Sequence, residues 1–198
     1  MDALETSTAA PRSYAWIGRA AFEAALIVFG LVGAFLIDEW RESRARAERV
    51  GAALASIRAE LADNEKAVAA AIENHDQVIA QLKKAAETRK TYYGGIIFSP
   101  PFSSVAWEAA RDAAITNDID HATLMSLGHA YRSLDAYEDE RTVFLNYLYT
   151  NNTQNLRENP LGLAGWLSDM RRHARGVQDR LGAASRGLRP QPATAESP

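Results

Sequence analysis

The sequence predicts an all-α protein: an N-terminal transmembrane helix continuous with a long amphipathic helix, packed in an elongated helical bundle of about four helices. Three observations predict it. Residues 20–37, AAFEAALIVFGLVGAFLI, form one apolar run, followed at once by Asp38, Glu39 and Trp40. Beyond it, apolar residues recur at steps of three and four through most of the chain, the period of a one-sided helix. Alanine and arginine are abundant and β-branched residues sparse, which favours helix throughout.

The chain has 198 residues, enough for one domain and its anchor. It divides into a disordered tail over 1–16, an anchor over 17–40, a bundle over 41–187 and a second disordered tail over 188–198. Twenty-two Lys+Arg against 25 Asp+Glu give a net charge of −3, so nothing draws the chain generally towards nucleic acid. The absence of cysteine excludes disulfides, thiolate metal sites and a Cys nucleophile.

The anchor is derived from length and flanks. The uncharged residues 24–37 give about 21 Å of helix, whereas a bilayer core needs about 30 Å. Extending to residue 17 gives about 32 Å and takes in Arg19 and Glu23, which are four apart and can pair or reach the headgroups. Trp16 and Trp40 bracket the span as interfacial aromatics do. Glu23, Gly30 and Ala34 share one face, and Gly30-x-x-x-Ala34 is a small-xxx-small pair that lets a second helix approach in lipid. The expected partners are therefore membrane lipids and a second copy or another membrane protein.

Residues 41–49, RESRARAER, continue the helix through the Glu42–Arg46 and Arg44–Glu48 pairs. Arg41, Arg44 and Arg46 lie where anionic headgroups would be. Five arginines lie on the C-terminal side within about 20 residues (41, 44, 46, 49 and 58) and two on the N-terminal side (12 and 19). By the positive-inside rule that asymmetry places the bundle on the cytoplasmic rather than the periplasmic side of the membrane.

The long helix carries its stripe on Val50, Leu54, Ile57, Leu61, Val68, Ile72, Ile79, Leu82 and Ala86, and ends near Arg89. Asn64 or Glu65 interrupts this stripe, which predicts a register shift or a bend there or at His75. Residues 90–103, with Gly94-Gly95 and Pro100-Pro101 around Ile96, Ile97 and Phe98, read as a connection. Ser103 or Ser104 caps a short helix to about Ile115, and Asp120 caps the next. That helix buries Leu124, Leu127, Tyr131, Leu134, Tyr137, Phe144 or Leu145, and Leu148. Asn159 and Pro160 start the last helix, whose stripe is Leu163, Trp166, Leu167, Met170, Val177 and Leu181.

Glu23, Gly30, Ala34, Asp38 and Trp40, in the order E-x6-G-x3-A-x3-D-x-W, precede a charged helix. Further on stand Ala106-Trp107-Glu108 and residues 124–131, LMSLGHAY. In these two blocks the chain resembles a family of bacterial single-pass membrane proteins catalogued only as a domain of unknown function. The resemblance implies an anchor and a helical domain, and brings no activity.

The chemistry of an enzyme is not legible. None of His75, His121, His129 and His173 has a glutamate three residues before it, as a di-iron bundle would require. Asp169 and His173 are four apart and read as a surface pair. Asp135, Glu138, Asp139 and Glu140 read as a solvated acidic face around Tyr137. Neither a nucleophile elbow, a phosphate loop nor a zincin motif occurs. No catalytic residue, metal ligand or cofactor is expected. Arg171, Arg172, Arg175, Arg180, Arg186 and Arg189 make the last helix basic; without interleaved aromatics they suit anionic lipid better than nucleic acid. The expected role is a membrane-anchored interaction or scaffold protein, the alternative a ligand-sensing bundle that signals through a partner.

Overall fold

A computed structural model describes the backbone of residues 15–88, 101–150 and 159–188, and their side chains from Phe22 onward. It contains α1 (Ala15–Glu87), α2 (Val105–Asp112), a 3-10 turn (Ile115–Asp118), α3 (His121–Thr150) and α4 (Pro160–Gly187). Every element among the described residues is helical, so the all-α class holds. Of the two expected tails, residues 1–14 and 189–198 lie outside the described residues, as does the Ile96–Phe98 segment expected as a connection; residues 15 and 16 already belong to α1, and Leu188 is buried against the bundle. The chain divides into two compact units, 1–47 and 48–198, and the boundary falls within α1.

In the first unit the apolar run is exposed on every side of its helix. Phe22, Leu26, Ile27, Val28, Phe29, Leu31, Phe35, Leu36 and Ile37 are each more than half exposed. Consecutive residues point about 100° apart, so 26–29 alone cover the whole circumference. No helix among the described residues is long and apolar enough to cross a membrane. The expected span over 17–40 meets this limit for a simple reason. From Phe22 only sixteen residues, about 24 Å, precede Asp38 and Glu39. The remaining turn depends on residues 17–21, whose side chains lie outside the described residues, as do those of Trp16 and Arg19.

The second unit is built on heptads. In α1 the positions 57, 61, 64, 68, 71, 75, 78, 82 and 85 are all buried, in steps of four and three without exception. The expected register shift is therefore absent: Asn64 and His75 occupy seam positions, and α1 runs through both without a break. The seam uses Ala71 and Ala85 where the sequence pointed to Ile72 and Ala86. α4 repeats the pattern at 163, 167, 170, 174, 177, 181 and 184, ending on Leu188. α3 follows with 127, 130, 134, 137 and 144 buried. Seams of this period wind helices round one another and bury a continuous core. One cluster joins Ile57 and Leu82 of α1 to Leu127 and Phe144 of α3 and Leu167 and Leu181 of α4. Phe144 meets Trp166 edge-on at 5.0 Å and Tyr137 meets His173 at 5.8 Å, so α3 and α4 run antiparallel.

The helix ends follow local chemistry with one exception. Asp120 accepts the Thr123 N–H at 2.9 Å, and Asn159 accepts that of Gly162 at 2.9 Å ahead of Pro160. α2, however, takes no cap from Ser104, whose hydroxyl donates to Glu108 at 2.6 Å. Past α2 the chain turns through Ala114, held at φ 54° and ψ 18°, the left-handed region that costs a side chain about 1–2 kcal/mol. Ala114→Gly relieves that cost at a smaller entropic loss. It should raise stability by about 0.5–1 kcal/mol, read as a higher urea midpoint with an unchanged slope.

Candidate functional site

The cap missing from α2 comes from α1. Glu60, 9% exposed, turns its carboxylate onto the first turn of α2. Oε2 accepts the Ala106 N–H at 2.9 Å and the Ser103 hydroxyl at 2.7 Å. Oε1 accepts the Trp107 N–H at 3.3 Å and the Tyr131 hydroxyl at 2.6 Å. One turn on, Asn64 grips the backbone of Ser103 from both ends: its Nδ2 donates to the carbonyl at 2.7 Å and its Oδ1 accepts the N–H at 3.0 Å. Trp107 stacks flat on Tyr131, ring centroids 5.2 Å apart. Glu138 of α3 completes the hold by accepting the Phe102 N–H at 3.0 Å while paired with Arg141 at 2.6 Å.

Electrostatics agree with the geometry. Burial alone would push the Glu60 carboxyl up. Hydrogen bonds from Tyr131, Ser103 and the Ala106 and Trp107 amides outweigh it and hold the group below its ordinary value. The positive end of α2 adds to the same preference for a charged carboxylate. Burial and the neighbouring carboxylate together raise the Tyr131 phenol, so it stays a donor. A carboxylate with four donors beside a phenol that keeps its proton is a clamp, not an acid–base pair.

A second polar layer crosses the bundle around His75, which is 1% exposed. Its Nε2 lies 3.5 Å from the Tyr137 hydroxyl, and Tyr137 packs against His173. His173 Nδ1 lies 2.7 Å from Glu140. His173 thus meets Glu140 rather than the expected Asp169, which binds Arg172 at 2.8 Å. The acidic face is likewise not wholly solvated, since Glu138 and Glu140 both reach partners. Two of the arginines expected to meet lipid are already engaged: Arg171 and, at 3.6 Å, Arg175 bind Asp76 of α1. Among the described residues no group of three or more His, Asp or Glu side chains is placed to hold a metal ion.

The third feature is a groove of about 590 Å³ between α1 and α2. Ala52, Ala53 and Ser56 line one side, Val105, Ala109 and Ile115 the other, with Arg49 and Glu60 also in its lining.

The residues singled out from sequence sit elsewhere, in the first unit. Glu23, Gly30 and Ala34 are exposed, and a side chain added at Gly30 would meet nothing within 4 Å. Trp40, Arg41, Arg44 and Arg46 are exposed too. Arg44 lies over the Trp40 ring at 5.7 Å, and Arg46 pairs with Glu42 at 3.0 Å as expected. Sequence reasoning missed Glu60, Asn64 and the His75–Tyr137 contact. The signal was the strict heptad itself: His75 already fell on the stripe between Ile72 and Ile79, and counting Ala71 and Ala85 as core positions puts Asn64 in the seam too, where a polar residue needs a partner.

No protein-family model matches the chain, and no curated protein or solved structure matches it either.

Proposed function

We propose that the chain is a non-catalytic interaction protein, held in the inner membrane of a bacterium by residues 17–40 and presenting its bundle on the cytoplasmic side. The observation that carries this reading is the run from Ala24 to Ile37, apolar and exposed round its whole circumference. A helix apolar on every side belongs inside a large core or in lipid, and nothing in the first unit covers it among the described residues. At about 25 cal/mol per Å² of apolar surface, water is a poor environment for it. Trp40 with Arg44 across its ring marks the end of the run with the residue types that favour a headgroup layer. Gly30 and Ala34 offer a second anchor helix a close approach, which supports a second copy or another membrane protein as partner. The two blocks that resemble a single-pass family are in keeping with this reading: the second contributes both Trp107 and Tyr131, which stack at the α2 clamp.

Expressed in a bacterium, the full chain should pellet with membranes and stay there through high salt and alkaline carbonate, leaving only with detergent. Replacing Leu31 and Val32 with aspartate should release it. Recovery of the unaltered chain in the supernatant of a detergent-free lysate removes the proposal.

A further inference from the structure

We propose that the groove between α1 and α2 binds the alkyl chain of a free long-chain fatty acid, with Arg49 holding its carboxylate. The inference stands on the second unit alone and does not depend on the anchor.

The first argument is the wall chemistry. Ala52 and Ala53 on one side and Val105, Ala109 and Ile115 on the other present methyl groups, and Val105 is 72% exposed. The polar groups along the walls are already engaged. Ser56 donates its hydroxyl back to the Ala52 carbonyl at 3.1 Å. Glu60 is 9% exposed and takes four hydrogen bonds from the α2 clamp. A ligand that needs polar partners along its length finds none there, whereas an alkyl chain needs only the apolar surface it removes from water. The volume, about 590 Å³, lies within the range of small-ligand sites, about 300–1,000 Å³.

The second argument is charge. Arg49 is the cation among the lining residues, and its guanidinium carries five donors, enough to grip a carboxylate while keeping another contact. Arg49 and Glu60 are eleven residues apart on α1, about 16 Å. An anionic head is therefore drawn to the Arg49 end and repelled from the Glu60 end, which fixes the direction of the chain. A single alkyl chain suits one alanine-walled groove, and a diacyl lipid would have to leave its second chain in water.

The test uses the full chain in phosphatidylcholine nanodiscs, or in buffer should it prove not to need a membrane. The probe is palmitate with a photoactivatable diazirine in its chain, and cross-linked peptides are mapped by mass spectrometry. Adducts are expected on residues 49–60 and 105–115, displaced by unlabelled palmitate. Ala109 is exposed, so Ala109→Trp fills the groove without entering the core and should abolish those adducts. Arg49→Gln should weaken palmitate competition about tenfold and leave hexadecanol competition unchanged. Adducts elsewhere, or adducts that survive in a folded Ala109→Trp chain, overturn the site. If Ala109→Trp does not fold, the Arg49→Gln comparison decides alone. Hexadecanol competing as well as palmitate overturns the fatty-acid assignment, and phosphatidylglycerol competing better than palmitate overturns the free acid as its source.

Discussion

Glu60→Leu should cost about 3–5 kcal/mol of folding stability. The substitution strands four donors at once: the Tyr131 and Ser103 hydroxyls and the Ala106 and Trp107 amides. It also leaves the first turn of α2 uncapped, since Ser104 is turned towards Glu108. Glu60→Gln keeps the shape but exchanges charge-assisted bonds for neutral ones and presents an amide N–H to donors, for a loss of about 1.5–3 kcal/mol. Urea unfolding followed by tryptophan fluorescence and far-UV dichroism gives both values. Tyr131→Phe combined with Glu60→Gln should cost less than the two changes separately, because both break the same 2.6 Å bond. A Glu60→Leu chain within about 0.5 kcal/mol of the parent would mean that α2 is held by packing of Trp107 and Ala110 alone, with the carboxylate incidental.

The same substitution bears on ligand binding. α2 supplies one wall of the groove, and the carboxylate that caps it also sits in the lining. Loosening α2 should widen the groove and lower the yield of palmitate adducts, even though the substituted side chain is the more apolar one. Stability of the clamp and occupancy of the groove are in this sense one property, set by how firmly α2 rests on α1.

The regular parts of this fold were written locally and could be read from the sequence. Asp120 and Asn159-Pro160 mark helix starts by side-chain chemistry confined to a few residues, and the stripe of α4 needs only its own period. The clamp is different in kind. Glu60 and Ser103 are 43 residues apart, Glu60 and Tyr131 71 apart, and no local rule joins them. From sequence, Asn64 looked like a defect in an apolar stripe and Ser104 like an ordinary cap. The bundle resolves both by letting one helix cap another. Alanine also hid the seam, because Ala71, Ala85, Ala174 and Ala184 are core positions that a search for large aliphatics passes over. The acidic and basic faces misled for a related reason: a charge run on one helix reads as solvated or lipid-facing, whereas Glu140 and Arg171 find partners across the bundle.

Acidification from about pH 7.5 to about pH 4.5 should lower the stability of the bundle by roughly 2–3 kcal/mol through His75 alone. Burial holds the His75 ring at about 4 against an ordinary 6.5; Asp76 opposes the shift and Arg171 adds to it. The unfolded chain therefore takes up a proton at His75 below about pH 6.5, and the folded chain only near pH 4. Between those values the unfolded state binds more protons, so stability is complete above about pH 6.5 and falls as the pH drops through the window. Glu60, whose carboxyl the fold holds below its ordinary value, loses its contribution at lower pH and in the same direction. His75→Leu separates the two. It removes the partner 3.5 Å from the Tyr137 hydroxyl and so starts from a lower stability at neutral pH. Its urea midpoint should nevertheless decline less between about pH 6.5 and about pH 4.5, by the His75 share. Parallel pH profiles for parent and variant would show that the ring charges without cost, which a side chain 1% exposed between α1 and Tyr137 cannot do unless that part of the bundle opens.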